Sequence, residues 1–152
     1  MLASRLGYLY LDTGSLYRAT AWAVIQSGLD PADAKGVEAL LPTLSLHMQF
    51  DQGVATVFVN GRDVSGDLRT PAVSAAASVV SAISAVRAWL LPTQRQIGQG
   101  GAVGAEGRAM GTKGMSSAEG KFILEADTPV RAQSRQRERV AGDACGERGA
   151  GP

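Results

Sequence analysis

The chain has 152 residues, 45% of them hydrophobic, which is the size and composition of one ordinary globular domain with a real core. Its net charge of +1 gives no support to a general nucleic-acid surface, and its single cysteine, Cys145, excludes an internal disulfide and fits a reducing compartment. Residues 1–7 carry one arginine with no apolar stretch behind it, so no signal peptide is expected.

The first organised stretch is Tyr8-Leu9-Tyr10-Leu11 running into Asp12-Thr13-Gly14-Ser15. It reads as strand, turn and helix, with Asp12 and Thr13 as N-cap types and Gly14 allowing a tight turn. Leu16, Ala19, Thr20, Ala23 and Val24 then recur at helical spacing, giving one buried face of a helix that ends near Gly28. A helix N-terminus offers free N–H groups, and Arg18 stands one turn inside it, a corner suited to a phosphate. From this stretch alone, simple capping with a solvated arginine serves equally well.

Asp30-Pro31 predicts a second helix with Asp30 as N-cap and an apolar face of Val37, Leu40, Leu41 and Leu44. Leu46, Met48 and Phe50 alternate with Ser45, His47 and Gln49 ahead of a run over 54–59, which predicts a β-hairpin. His47, the only histidine, falls opposite the apolar parity, and no second histidine or carboxylate pair supports a catalytic or metal role. Asn60-Gly61 signals a turn, and 62–70 reads as a polar connection, solvated or facing a ligand.

Thr70-Pro71 predicts another capped helix, rich in alanine and serine, to about Ile83. The uncharged run 70–86 approaches the length of a membrane span, but Ser74, Ser78 and Ser81 lay a polar stripe along it, so no membrane partner is expected. An amphipathic segment follows from Ser84 to Gly98, with Pro92 as a kink. On one continuous helix Ser78 and Arg87 would point apart, so a break is predicted between Ala82 and Ser84.

Residues 102–105 read as a short buried strand weakened by Gly104, and 121–126 as a second. Thr128-Pro129 opens a helix with Arg131, Arg135 and Arg139 on one face. Such a stripe reads first as solvated, with phosphate contact the lesser alternative. Residues 140–152 are small, polar and glycine-rich, and disorder is expected. This order predicts an α/β domain with a parallel sheet: a core of 1–29 and 98–139, an insertion over 30–97 and a tail of 140–152.

Several blocks in one order resemble the bacterial cytidylate kinases, which phosphorylate CMP and dCMP from ATP with magnesium. They are the 8–18 stretch, Asn60-Gly61-Arg62-Asp63-Val64-Ser65-Gly66-Asp67-Leu68-Arg69-Thr70, the segment from Ala75 through Ser78 to Arg87, and Glu106-Gly107-Arg108. The resemblance implies a P-loop nucleoside monophosphate kinase fold, a three-layer parallel sheet with an inserted nucleotide-binding subdomain, in a cytoplasmic protein. It implies that Thr13, Arg18 and Arg108 hold the CMP phosphate, that Ser78 and Arg87 read cytosine O2 and N3, and that Asp12 lies with Arg108 near the transferred group.

The sequence also departs from the family. Ala109 stands where the family carries an aspartate, the acceptor for the cytosine amino group, so discrimination should fall by about ten- to a hundredfold. No Gly-x-x-x-x-Gly-Lys-Ser/Thr loop for ATP occurs. Gly120-Lys121 has Phe122 where a hydroxyl is needed and Met115 in place of the first glycine, and the glycines from Gly98 to Gly104 miss dinucleotide spacing by one residue. Beyond Gly111-Thr112 the family's apolar run is replaced, and after Arg139 its arginine-bearing lid does not follow. The family's first strand would lie between those at 102–105 and 121–126, and its loss leaves two open edges. The expectation is a fragment truncated at both ends, inactive alone, with a CMP-binding remnant or a non-functional one as alternatives and the oligomeric state open.

Overall fold

A computed structural model describes residues 2–51, 54–99, 101–107, 118–122, 127–130, 133 and 136. The chain forms two compact units, residues 1–119 and 120–152. The first is mixed α/β and contains a parallel strand pair and a separate antiparallel sheet.

It opens with a short helix, α1 (Leu2–Leu6), which the sequence reading did not anticipate. Strand β1 (Leu9–Asp12) follows and passes directly into helix α2 (Thr13–Gln26). The turn expected over 12–15 is therefore absent, because Asp12 caps the helix while still inside the strand. β1 pairs in parallel with β5 (Val103–Glu106), in the register Leu9 to Val103 through Asp12 to Glu106. Gly104 is less a weak point than a requirement of this pairing. A Cβ there would fall 2.9 Å from the Ala3 Cβ, because α1 packs against both strands. Gly104→Ala should displace α1 and cost about 1–3 kcal/mol, read as a lower urea midpoint.

Helix α3 (Ala34–Leu40) starts three residues later than expected. Asp33, not Asp30, is its cap and accepts from the Gly36 N–H at 3.1 Å. Asp30 instead accepts from Ala32 N–H through its side chain and from Asp33 N–H through its carbonyl, so the aspartate-proline pair forms a turn. A 3₁₀ turn, Leu41–Thr43, leads into the hairpin.

The hairpin has the expected parity. β2 (Leu46–Asp51) and β3 (Val54–Val59) pair antiparallel, with Leu46, Met48 and Phe50 half-buried and His47 exposed, stacked on Phe58 at 5.0 Å. Asn60 and Gly61 turn with φ of 50° and 80°, as a tight hairpin demands. The connection after them is more ordered than anticipated: Arg62–Asp63 adds a third strand, β4, and a 3₁₀ turn spans Ser65–Asp67. Burial of Val64 and Leu68 drives this, drawing the polar residues between them into place.

In that turn the Ser65 backbone N–H donates to Asp63 at 2.9 Å and, with the Ser65 hydroxyl, holds the Asp63 carboxyl below its ordinary pKa. A group depressed on folding stabilises the fold above its unfolded pKa, and loses that contribution as pH falls through the folded value. Asp63→Asn should therefore flatten the acid limb of a melting-temperature profile over roughly pH 2–5. An unchanged limb would rule the group out.

Helix α4 (Pro71–Val80) begins as expected, with Thr70 accepting from Val73 N–H at 3.3 Å. It stops before Ile83, and after a break at 81–83 α5 (Ser84–Gln99) leaves at 102° to it. α5 carries Pro92 inside it. Among the described residues no single helix is long and apolar enough to cross a membrane.

α2 organises the packing. Leu16, Ala21 and Val24 face Val37, Leu41, Val73, Val80, Val86 and Leu90 in one cluster. Ala19 and Ala23 face Val57, Val59, Val64 and Leu68 in a second. Trp22 packs against both, with the Arg62 guanidinium 5.1 Å above its ring. The helix thus buries two faces where the periodicity suggested one.

In the second unit, Lys121 and Phe122 are exposed and not in a strand, contrary to expectation for those two positions. The rest of that strand, 123–126, lies outside the described residues, as do Arg131, Arg135, Arg139 and the 140–152 tail. Helical backbone is found at 128–130, 133 and 136, in keeping with a start at Thr128-Pro129.

Candidate active site

In a parallel pair both strands end on the same side, and α/β proteins place ligands at such carboxyl ends. Here the ends are Asp12 and Glu106, opposite one another, with the N-terminus of α2 emerging one residue later. The corner therefore combines two chain ends and a helix dipole.

Asp12 is its centre. Its Oδ1 accepts from the Gly14 N–H at 2.8 Å, and its Oδ2 accepts from Arg18 Nη1 at 3.0 Å. A Cβ on residue 14 would lie 2.9 Å from Asp12 Oδ1 and 3.5 Å from Arg18 Nη2, so glycine makes room for both partners. The Asp12 and Arg18 side chains are 30% and 27% exposed, so the pair is screened and worth about 0–1 kcal/mol. Thr13, buried, donates its hydroxyl to the Glu106 carbonyl at 2.8 Å. Ser15 donates to the Asp12 carbonyl at 2.6 Å.

The structure thus brings Asp12, Thr13 and Arg18 together. It adds Ser15 and the Glu106 carbonyl, which the sequence reading did not assign to the site. A serine in the first helical turn was a usable signal for Ser15. The Glu106 carbonyl could be found only once β1 and β5 were paired, since it lies 93 residues from Thr13.

Ser78 and Arg87 occupy a different place. Ser78 is exposed near the end of α4, donating to the Ser74 carbonyl at 3.3 Å. Arg87 is exposed on the first turns of α5, and its Nη1 reaches back across the break to the Ser81 carbonyl at 3.4 Å. Ser81 in turn donates to the Ser78 carbonyl at 3.0 Å. The break therefore links the two positions through one intermediate residue. Among the described residues no hydrogen bond or ion pair joins them to the Asp12 corner. Arg108 and Ala109 lie outside the described residues.

Among the described residues none fits the triphosphate donor. Gly120 and Lys121 are followed by the exposed Phe122, where a phosphate loop needs a hydroxyl. Among the described residues no group of three or more histidine, cysteine or carboxylate side chains gathers as a metal site.

Comparison with known proteins bears on what this corner serves. The family model for cytidylate kinase matches residues 1–147. A cytidylate kinase of Pelotomaculum thermopropionicum is 42% identical over 142 residues, which cover 93% of this chain and 63% of that protein. Bifunctional pantoate ligase/cytidylate kinases of Synechococcus sp. (strain WH7803) and Parasynechococcus marenigrum are 43% and 44% identical over 90% and 88% of this chain. The chain spans only 28% and 27% of those two proteins. With the match running through the β1–α2 corner and nearly to the last residue, the chain belongs to the cytidylate kinase family.

Proposed function

We propose that this chain forms the acceptor-nucleotide side of a cytidylate kinase, the part that holds CMP or dCMP for phosphoryl transfer from ATP. The observation that carries the reading is the Asp12–Thr13–Arg18 corner at the carboxyl ends of two parallel strands, within a chain of this family. Arg18, Thr13 and Arg108 would take the phosphate, using guanidinium forks and the α2 N–H groups. Ser78 and Arg87 would donate to cytosine O2 and N3, while Ala109 offers no acceptor to the amino group. Asp12 and Arg108 would stand closest to the transferred group.

The same reading makes the β1–β5 pair part of a P-loop kinase core drawn from 1–29 and 98–139, with 30–97 as the inserted nucleotide-binding subdomain. The separate antiparallel sheet at 46–63 supports that division. ATP with magnesium supplies the phosphoryl group and its charge neutralisation when bound. No residue of this chain is assigned to holding either, and the chain alone is read as binding without turnover. A small-molecule substrate, no membrane or nucleic-acid partner and a cytoplasmic setting complete the proposal, with net charge +1 its support on nucleic acid.

The test is a CMP titration of the purified chain, followed by Trp22 and Trp89 fluorescence, with UMP and AMP as controls and ATP added last to look for CDP. Saturable CMP binding without CDP is the expected result. A folded chain that ignores all three nucleotides would refute the acceptor role.

A further inference from the structure

We propose that the Asp12 carboxylate occupies the phosphate seat in the ligand-free chain, so that an oxyanion binds this corner by exchange with Asp12 rather than by addition to an open site. The inference rests on the acceptor reading above and adds how that site is kept closed.

Three observations carry it. First, two of the donors that a phosphate would use here are already taken by an anion of the chain itself. Asp12 Oδ1 holds the Gly14 N–H and Asp12 Oδ2 holds Arg18, the two kinds of group that receive an oxyanion at a helix start. Second, the Thr13 hydroxyl proton is committed to the Glu106 carbonyl, so its donation to a ligand also requires a partner to be released. Third, Asp12 and Arg18 cancel in charge at 3.0 Å, so an arriving phosphate dianion meets a neutral pair at this helix start and not a free guanidinium. A carboxylate left beside the bound phosphate would repel it. Asp12 therefore releases the Gly14 N–H and Arg18 as the ligand enters, and Arg18 changes partner.

The experiment uses inorganic phosphate and CMP with the wild-type chain, Asp12→Asn and Asp12→Ser. Both substitutions keep an N-cap oxygen for the Gly14 N–H while removing the charge. Thermal melts establish that each variant is folded, and Arg18→Ala reports binding elsewhere. Phosphate should bind the two variants about two- to fivefold more tightly than wild type, the span expected for release of one exposed ion pair.

In the wild-type chain the Asp12 side-chain carboxylate ¹³C resonance should move along the phosphate isotherm. This second readout decides the matter even if neither variant folds. Equal or weaker binding by the variants, or an Asp12 resonance that stays still while wild type saturates, would overturn the exchange and make Asp12 a positioning residue for Arg18. The acceptor reading would survive that result. Absence of saturable phosphate and CMP binding in every folded form would overturn both.

Discussion

Replacing Arg18 by alanine is expected to weaken CMP binding by about ten- to a hundredfold while leaving the fold nearly intact. A charged hydrogen bond to phosphate is worth about 1.5–3 kcal/mol, which sets that range. The fold loses only a partly exposed ion pair, worth at most about 1 kcal/mol, and Asp12 keeps its cap on Gly14. Arg18→Lys should recover only part of the affinity, because an ammonium cannot present two parallel N–H groups to one phosphate. The readout is the nucleotide titration beside a thermal melt. Wild-type affinity in a folded Arg18→Ala chain would move the phosphate seat away from α2.

A second large effect is expected in stability rather than binding. Leu16→Ala should cost about 2–5 kcal/mol, measured as a shift of the urea midpoint. Leu16 is fully buried on α2 in the cluster with Val73, Val80, Val86 and Leu90. Its position limits relaxation, because the opposite side of α2 is fixed by Ala19 and Ala23 on the antiparallel sheet. Against a total stability of about 5–15 kcal/mol, this one change should leave the protein marginal. A loss under about 1 kcal/mol would mean that the site collapses around the smaller side chain.

The features legible in the sequence were those fixed by neighbours along the chain. Hairpin parity, the Thr70-Pro71 helix start and the break after α4 all depend on local capping and alternation, and all three occur. Local reading failed where two nearby residues compete for one role. Asp30 and Asp33 are both plausible caps, and Asp30 is spent on its own turn. It failed also where alanine carries the packing. Ala19 and Ala23 are weakly hydrophobic, yet their small size lets β3 approach α2 and creates the second buried face. The site divides in the same way. Asp12, Thr13 and Arg18 could be named from a few consecutive residues, whereas the Thr13 tie to Glu106 depends on a strand pairing that closes a long stretch of chain.

The doubly buried helix α2 has a consequence for how the unit comes apart. Were the antiparallel sheet to peel away, Ala19, Ala23 and one side of Trp22 would be bared to water, and the Arg62 cover over that ring would be lost. Were α4 and α5 to leave first, Leu16 and Val24 would be bared instead. Neither layer can detach at the cost of its own surface alone, since each departure strips the shared helix. Sheet and helices are therefore coupled into one cooperative unit, and the backbone amides of α2 belong to the set that exchanges with solvent only through its global opening.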